Sequence, residues 1–563
     1  MDNERVARTF EELASLLELK GESPFKLRAY RTFAESVRAL GDPIVDIVAR
    51  GELDAMPGVG KAIAAKVDDL LKRGSFAALD RVRDEVPTTL LEVLNIPGLG
   101  AKSVRTLWLE AGVTTLGELL YACEEHRLAH LPGFGEKKQA KIFEAVRERL
   151  EKSGAMLLAG ALEAVDRIRK ALAEKGITDV EAVGETRRGT ELVHALLVLV
   201  KNGDASRIAQ TLQRAKEDIG VRGVALDGDD VVVTFASGEM ARVRGVPAAT
   251  WALTLVKETG ADAHVKWLEE RAAGKGGLAA LAARATREDE IYAALKLPFP
   301  HPELREGPTP TVSTRLDRVH GIFHVHTDWS DGTASIVEMA RESARAGFAY
   351  VGITDHTKAA TYANGLDTKR IEEQARAIAI ARREVPEIEI LHGTEVDILA
   401  DGSLDLDDAT LATLDFVIAS VHTRFAMSSA EMTARIVRAV SHPLVTILGH
   451  PTGRLLLGRP GYSFDVEKVA RAAAANDTYL EINSNAQRLD LSDELARRAA
   501  AAGAKFAIDP DAHSIRGIAD TTLGIIVARR AGIGPADVLN ARESRDLVRT
   551  LAARKKRALA NIA

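Results

Sequence analysis

The chain has 563 residues, too many for one core at about 100–200 residues per domain, and its 46% hydrophobic and 28% charged content argues against disorder. One cysteine, Cys123, excludes an internal disulfide framework and any multi-cysteine zinc site. A net charge of −6 argues against binding through bulk basicity. No apolar run approaches the roughly 18–20 residues of a membrane span. The first residues carry no signal-peptide core, so the expected location is the cytoplasm.

Residues 1–150 read as short helices broken by Gly and Pro, with 24 acidic against 22 basic side chains. One pattern recurs three times: Met56-Pro57-Gly58-Val59-Gly60-Lys61, Ile96-Pro97-Gly98-Leu99-Gly100-Ala101 and Leu131-Pro132-Gly133-Phe134-Gly135-Glu136. Each copy precedes a helix of apolar periodicity. Paired glycines allow a sharp turn and bare backbone N–H groups at a helix N-terminus, a nest that accepts phosphate without side-chain charge. One copy alone reads equally well as a plain helix–helix turn. Three copies favour a sequence-independent reader of the DNA backbone, through Gly58, Gly60, Gly98, Gly100, Gly133 and Gly135 with Lys61 and Lys102 beside them. They resemble helix–hairpin–helix motifs.

Residues 155–245 change character. A helix over 161–175 leads to Gly184-Glu185-Thr186-Arg187-Arg188-Gly189, the apolar run Ala195–Val200, and strand-like stretches at Val231–Phe235 and Met240–Val246. This predicts an α+β unit with a small antiparallel sheet. Residues 247–300 return to helix. Proline density from Pro298 to Pro310 predicts a linker near 303–316. Beyond it, strands and helices alternate from Gly321 to Ile508, and repeated βα units predict a parallel barrel with its chemistry at the C-terminal strand ends.

Those ends carry His324-Val325-His326 with Asp331, then Asp355-His356, Glu395, His422, His450 and Asp511-Ala512-His513; nine of the chain's 14 histidines lie in residues 317–563. Alternate strand residues point the same way, so both imidazoles of His-x-His can face one ion. Six histidines and three carboxylates can hold two or three divalent ions, with Zn²⁺ or Mn²⁺ better suited than Ca²⁺. Such ions lower the pKa of water and clamp phosphodiester oxygens, so phosphate-ester hydrolysis is the natural assignment. Asp331, His356 and Glu395 are expected closest to the chemistry.

The motifs His-Val-His-Thr-Asp-Trp-Ser-Asp-Gly, Ile-Thr-Asp-His, Gly-Thr-Glu-Val-Asp, Ser-Val-His, Gly-His-Pro and Asp-Ala-His resemble those of the PHP (polymerase and histidinol phosphatase) domain. The resemblance implies a distorted seven-stranded β/α barrel whose ligands are His324, His326, Asp331, His356, Glu395, His422, His450, Asp511 and His513. It implies a phosphate contact for Arg454, which reads equally well as a solvated arginine.

The whole chain is similar to the bacterial family X DNA polymerases. That resemblance implies an 8-kDa-like domain over 1–80, fingers over 81–150, a palm over 151–246, a thumb over 247–302, the linker 303–316 and the PHP domain over 317–563. The family's palm holds two Mg²⁺ ions with three aspartates. Here two of those positions are Ala195 and Leu197, and alignment puts Arg242 at the third. Asp229 and Asp230 read as turn residues rather than substitutes, and Mg²⁺ is not expected at the palm. Arg187 and Arg188 are left as phosphate contacts or an ordinary exposed pair. The favoured reading is a DNA-repair 3′–5′ exonuclease acting on gapped, nicked or primer–template DNA. The alternatives are a working gap-filling polymerase edited by the PHP domain, and a non-enzymatic DNA-binding factor. A small-molecule phosphatase leaves the attached DNA-binding modules without a use.

Overall fold

The computed structural model describes residues 2–53, 56, 59–125, 127–128, 131–151, 155–236, 238–307 and 315–562. The chain divides into two compact units, Met1–Arg147 and Glu148–Ala563. Among the described residues no helix is long and apolar enough to cross a membrane.

The first unit is helical. Its opening helix, Asn3–Lys20, is capped by the Asp2 side chain and ends at Gly21 in the left-handed region. The helix buries Phe10 against Phe33 and Phe76 at ring separations of 4.6 and 5.4 Å. The three repeats share one turn: the carbonyls of Met56, Ile96 and Leu131 accept the N–H groups of Val59, Leu99 and Phe134 at 3.1, 3.1 and 3.0 Å. Gly98 and Gly133 take φ of +86° and +81°, a conformation that β-carbon sterics disfavour in other residues. Gly60 and Gly100 then cap the helices Lys61–Arg73 and Ala101–Ala111 in extended conformation. Pro57 and Gly58 of the first copy lie outside the described residues.

The second unit opens with β1 (Met156–Leu157) paired antiparallel to β3 (Leu192–Val193). A five-stranded sheet follows, with β2 (Val180–Ala182), β4 (Leu196–Lys201), β5 (Val221–Asp227), β6 (Asp230–Phe235) and β7 (Met240–Val246) in the order β2-β4-β7-β6-β5. The sheet is mixed rather than antiparallel, because β4 and β7 run parallel. Asp230 belongs to strand β6 and pairs with Asp227 across a two-residue turn, so only Asp229 keeps the expected turn position. Helices Trp251–Thr259, Asp262–Ala272, Leu278–Ala282 and Glu288–Ala294 pack around Trp267, Leu268 and Tyr292.

The start of the expected linker is firmly packed. Pro302–Leu304 form a short 3-10 turn, and Arg305 is fully buried between the rings of Tyr292 and Phe299. Its guanidinium meets Glu288 Oε1 at 2.5 Å. Proline density stopped a helix here without freeing the chain. Residues 308–314 lie outside the described residues.

The last 250 residues or so form the barrel, at the roughly 250 residues typical of β/α barrels. Strands β8 (Gly321–Ile322), β9 (Tyr350–Ile353) and β10 (Glu389–His392) make one parallel sheet. Strands β11 (Glu395–Asp397), β12 (Ile418–Ser420), β13 (Ile447–Leu448), β14 (Tyr479–Asn483) and β15 (Phe506–Asp509) make another. Two parallel bridges, His356 with Glu395 and Val325 with Ala512, join the sheets into a ring. Strands β10 and β11 are one strand broken at Gly393-Thr394, so the ring has seven staves. A β-carbon on Gly352 or Gly393 would lie 2.4 or 2.5 Å from Phe416, which fills the interior at that level. The helix Ser544–Ile562, absent from the sequence reading, adds Leu547 and Leu551 to the cluster formed by Phe323, Tyr350 and Phe416.

Candidate metal centre

The ring places its ligating side chains by strand geometry. His324 and His326 follow β8 two residues apart and face inward together. Glu395 opens β11, and His422, His450 and Asp511-Ala512-His513 follow β12, β13 and β15. All nine expected residues converge, in four overlapping groups: His326, Asp331, His356 and His513; His324, His326 and Asp511; His324, Glu395 and His450; His356, Glu395 and His422.

Glu395 is the hub. Its carboxylate lies 2.8 Å from His356, 2.9 Å from His450, 3.3 Å from His422, 3.4 Å from His324 and 3.7 Å from His326. Asp511 Oδ1 lies 3.3 Å from His326 and 3.4 Å from His324. Asp331 stands 3.5 Å from His513 and 3.6 Å from His356. The turn that returns Asp331 to the site needs a glycine after it, since a β-carbon on Gly332 would sit 2.6 Å from the His326 backbone. His450 and Asp511 both have positive φ, strain concentrated at two of the converging residues.

Burial should neutralise such a cluster, and it does not. Burial raises the Glu395 carboxyl, but His422, His356 and His324 outweigh it and hold the group well below the usual carboxylate range. Asp511 is likewise held low by His324, His326 and His513 against the cost of burial. Burial, with His513 and His356 nearby, pushes His326 down to about 3, so its ring is neutral and able to donate electron pairs.

The buried atoms His324 Nε2, both ring nitrogens of His326, His356 Nδ1, His450 Nδ1 and Glu395 Oε2 have no hydrogen-bond partner. Buried polar atoms are rarely left so. Their convergence, with anionic carboxylates beside the neutral His326 ring, fits divalent ions of the borderline class.

Further residues complete the surroundings. His324 Nδ1 meets Glu481 Oε1 at 2.6 Å, and His422 Nδ1 meets Asp397 Oδ1 at 3.2 Å. Each contact fixes a ring so that Nε2 faces the centre. The period-2 spacing of Glu395 with Asp397 was the available signal for the second. Asp355, grouped with His356 in the sequence, accepts from Thr327 N and Oγ1, Ser330 N and Oγ, and Gln374 Nε2, and so holds the turn carrying Asp331. Arg488 Nε lies 3.3 Å from Asp511 Oδ2. No local spacing had marked it.

Three arginines are engaged elsewhere than expected. Arg187 binds Glu288 through both terminal nitrogens, at 3.0 and 2.6 Å, and also Thr259. Arg188 binds Glu306 at 3.0 Å and the Thr259 carbonyl. Neither is exposed or offered to a phosphate, because carboxylates from 288–306 reach them first. Arg454 binds Glu191 and the carbonyls of Arg488 and Leu489. The hairpin residues Gly60, Lys61, Gly98, Gly100, Lys102 and Gly133 remain exposed, and Gly135 is partly exposed.

At the positions expected to lack palm aspartates, Leu197 stands beside Arg242 in the strand register. Arg242 binds Asp227 at 2.8 Å and approaches Asp230 at 3.5 Å, and Arg244 takes Asp230 at 2.7 Å. Glu185 accepts the His194 backbone N–H at 2.6 Å.

Comparison with known proteins agrees with this division. Residues 1–76 match a helix-hairpin-helix domain, 90–148 a SAM-like helix-hairpin-helix tandem, and 323–485 the PHP domain. The chain is 31% identical to the DNA polymerase/3′-5′ exonuclease PolX of Bacillus subtilis (strain 168), over 97% of this chain and 99% of that protein. It is 32% identical to a probable phosphatase of Thermoanaerobacter sp. (strain X514), over 38% of this chain and 88% of that one. A probable phosphatase of Syntrophotalea carbinolica is 27% identical over 41% of this chain and 94% of its own length.

Proposed function

The chain belongs to the PolX family, and from that premise we propose that it is a metal-dependent 3′–5′ exonuclease for DNA, with the barrel as its sole hydrolytic centre. The observation that carries this reading is the convergence of nine side chains of metal-ligating type, Glu395 among them, in a chain with Leu197 and Arg242 where the resemblance expects palm aspartates. The helix–hairpin–helix repeats supply the DNA, gapped, nicked or primer–template. The 3′–5′ direction rests on the name of the Bacillus subtilis relative. The subdivision into 8-kDa-like, fingers, palm-like and thumb-like parts follows the same likeness.

The nine residues would hold two or three ions, Zn²⁺ or Mn²⁺ by donor chemistry. When bound, adjacent divalent ions lower the pKa of water and offset phosphodiester charge. The chain's own residues prepare the centre. Glu481 and Asp397 fix the tautomers of His324 and His422. Glu395 faces five imidazoles at once, and Asp355 holds the Asp331 turn closed. Asp331, His356 and Glu395 are the residues we place closest to the reacting phosphate.

The test is digestion of 5′-labelled primer–template DNA by the full chain with Mn²⁺. Stepwise shortening from the 3′ end is expected, and His324→Ala with His326→Ala should abolish it. Digestion by the double variant at the wild-type rate would remove the barrel as the nuclease.

A further inference from the structure

The segment that would cradle a nucleotide triphosphate in a working palm is instead docked on the barrel. Gly189 has φ of +70°, and a β-carbon there would lie 2.1 Å from Ile526 of the helix Thr521–Ala531. The Arg188 carbonyl accepts from Arg530 at 2.8 Å. Two residues beyond Gly189, Glu191 grips Arg454 through both carboxylate oxygens, Oε1 at 3.3 Å from Nη1. Arg454 lies four residues past His450, on the loop that delivers that ligand.

Arg454 also reaches the neighbouring loop after β14. Its Nε donates to the Arg488 carbonyl at 2.9 Å, and its Nη2 to the Leu489 carbonyl. The Arg488 side chain then meets Asp511, which touches His324 and His326. A chain of polar contacts thus runs from Glu191 to the ligand group, two ion pairs joined by backbone carbonyls. The Arg454 side chain is 16% exposed, so solvent screens the Glu191 contact less than a surface pair.

We propose that Glu191 is a positioning residue of the phosphoesterase centre: it holds Arg454 as a strut between the His450 loop and the loop after β14, and so fixes Arg488 beside Asp511. Removing the Glu191 carboxylate leaves Arg454 without its ion pair, so its donors to the Arg488 and Leu489 carbonyls are held less firmly. Thr452 N and Leu456 N still join the His450 loop, through Asp490 and Gln487, to the 485–490 loop. Metal-ligating side chains outside that loop keep their contacts. The strut gives the segment before β3, in a region without palm aspartates, a role in hydrolysis.

The proposal rests on the barrel being the hydrolytic site, and the test separates the two. Glu191→Ala, Glu191→Gln, Arg454→Ala and the double Glu191→Ala/Arg454→Ala variant are compared in the full chain. Readouts are hydrolysis of bis(p-nitrophenyl) phosphate with Mn²⁺, bound metal per chain, and amide hydrogen exchange over 485–490. Expected for Glu191→Ala are a kcat about tenfold lower, a KM within about twofold of wild type, unchanged metal content and faster exchange over 485–490. The Glu191→Gln variant keeps the shape of the side chain and should show a smaller change of the same sign. The double variant should be no worse than Arg454→Ala alone, because the two residues act through one contact. Wild-type kcat and exchange in Glu191→Ala, or losses that add fully in the double variant, would overturn the proposal. If the wild-type chain hydrolyses no diester, the nuclease reading fails by itself, and exchange over 485–490 still decides whether Glu191 positions the loop.

Discussion

Leu197 of β4 lies directly opposite Arg242 of β7 in parallel register, and Ala195 immediately precedes β4. A two-metal transfer site needs carboxylates at these places. The carboxylates nearby are already engaged, Asp227 by Arg242 and Asp230 by Arg244. The full chain should therefore extend no primer with dNTPs and Mg²⁺ or Mn²⁺ in an Asp331→Ala background. Metal-dependent extension in that background would show that the sheet retains a polymerase site of its own.

The contacts of Asp397 with His422 and of Glu481 with His324 predict a second outcome. Neither carboxylate belongs to the converging groups, yet each contacts a ring nitrogen of a histidine that does. Asp397→Asn and Glu481→Gln should weaken metal binding about 10–100-fold, a typical cost for losing an orienting partner. Chelator titration followed by metal analysis measures this directly. Affinity unchanged in both variants would show that the rings are oriented by packing alone.

The candidate metal centre was legible because the residue types that could form it stand at fixed places. His324 and His326 are two apart on a strand, and a histidine or carboxylate ends nearly every later strand. What stayed hidden depends on partners distant in sequence. Nothing near Arg454 signals that its carboxylate is Glu191, 263 residues away. Arg187 and Arg188 looked like surface phosphate contacts until Glu288 and Glu306 folded over them. The mixed sheet was missed because parallel and antiparallel pairs share the same alternation, and only the crossover connection separates them. The packing of the Phe416 ring against Gly352 and Gly393 is visible only in three dimensions.

The hairpins predict how DNA is held. Lys61 and Lys102 stand exposed just inside the helices that follow Gly60 and Gly100. Contacts to phosphate carry no base information, so Lys61→Ala and Lys102→Ala should weaken binding to all duplex sequences alike. Each should reduce the slope of log affinity against log salt by about 1. Fluorescence anisotropy over a salt series checks both. An unchanged slope would remove these lysines from the interface.

A buried ionic network stands at the start of the expected linker. Glu288 is buried between Arg187 and Arg305, at 2.6 and 2.5 Å. Burial alone would raise its carboxyl, but the two guanidiniums outweigh burial and hold it below the ordinary glutamate value. Arg305→Met removes one partner of a buried ion pair and leaves its carboxylate in place, which typically costs about 3–5 kcal/mol. The double variant Arg305→Met/Glu288→Gln should recover part of that loss. Because the folded-state pKa of Glu288 lies below its unfolded value, its ionised form stabilises the fold above that value. This contribution is lost as pH falls through the folded pKa. The deficit of Arg305→Met should therefore be largest near neutral pH and shrink on the acid side. Urea unfolding midpoints at neutral and acid pH test the sign, and a deficit that does not change with pH would mean that Arg305 acts through packing between Tyr292 and Phe299 rather than through Glu288.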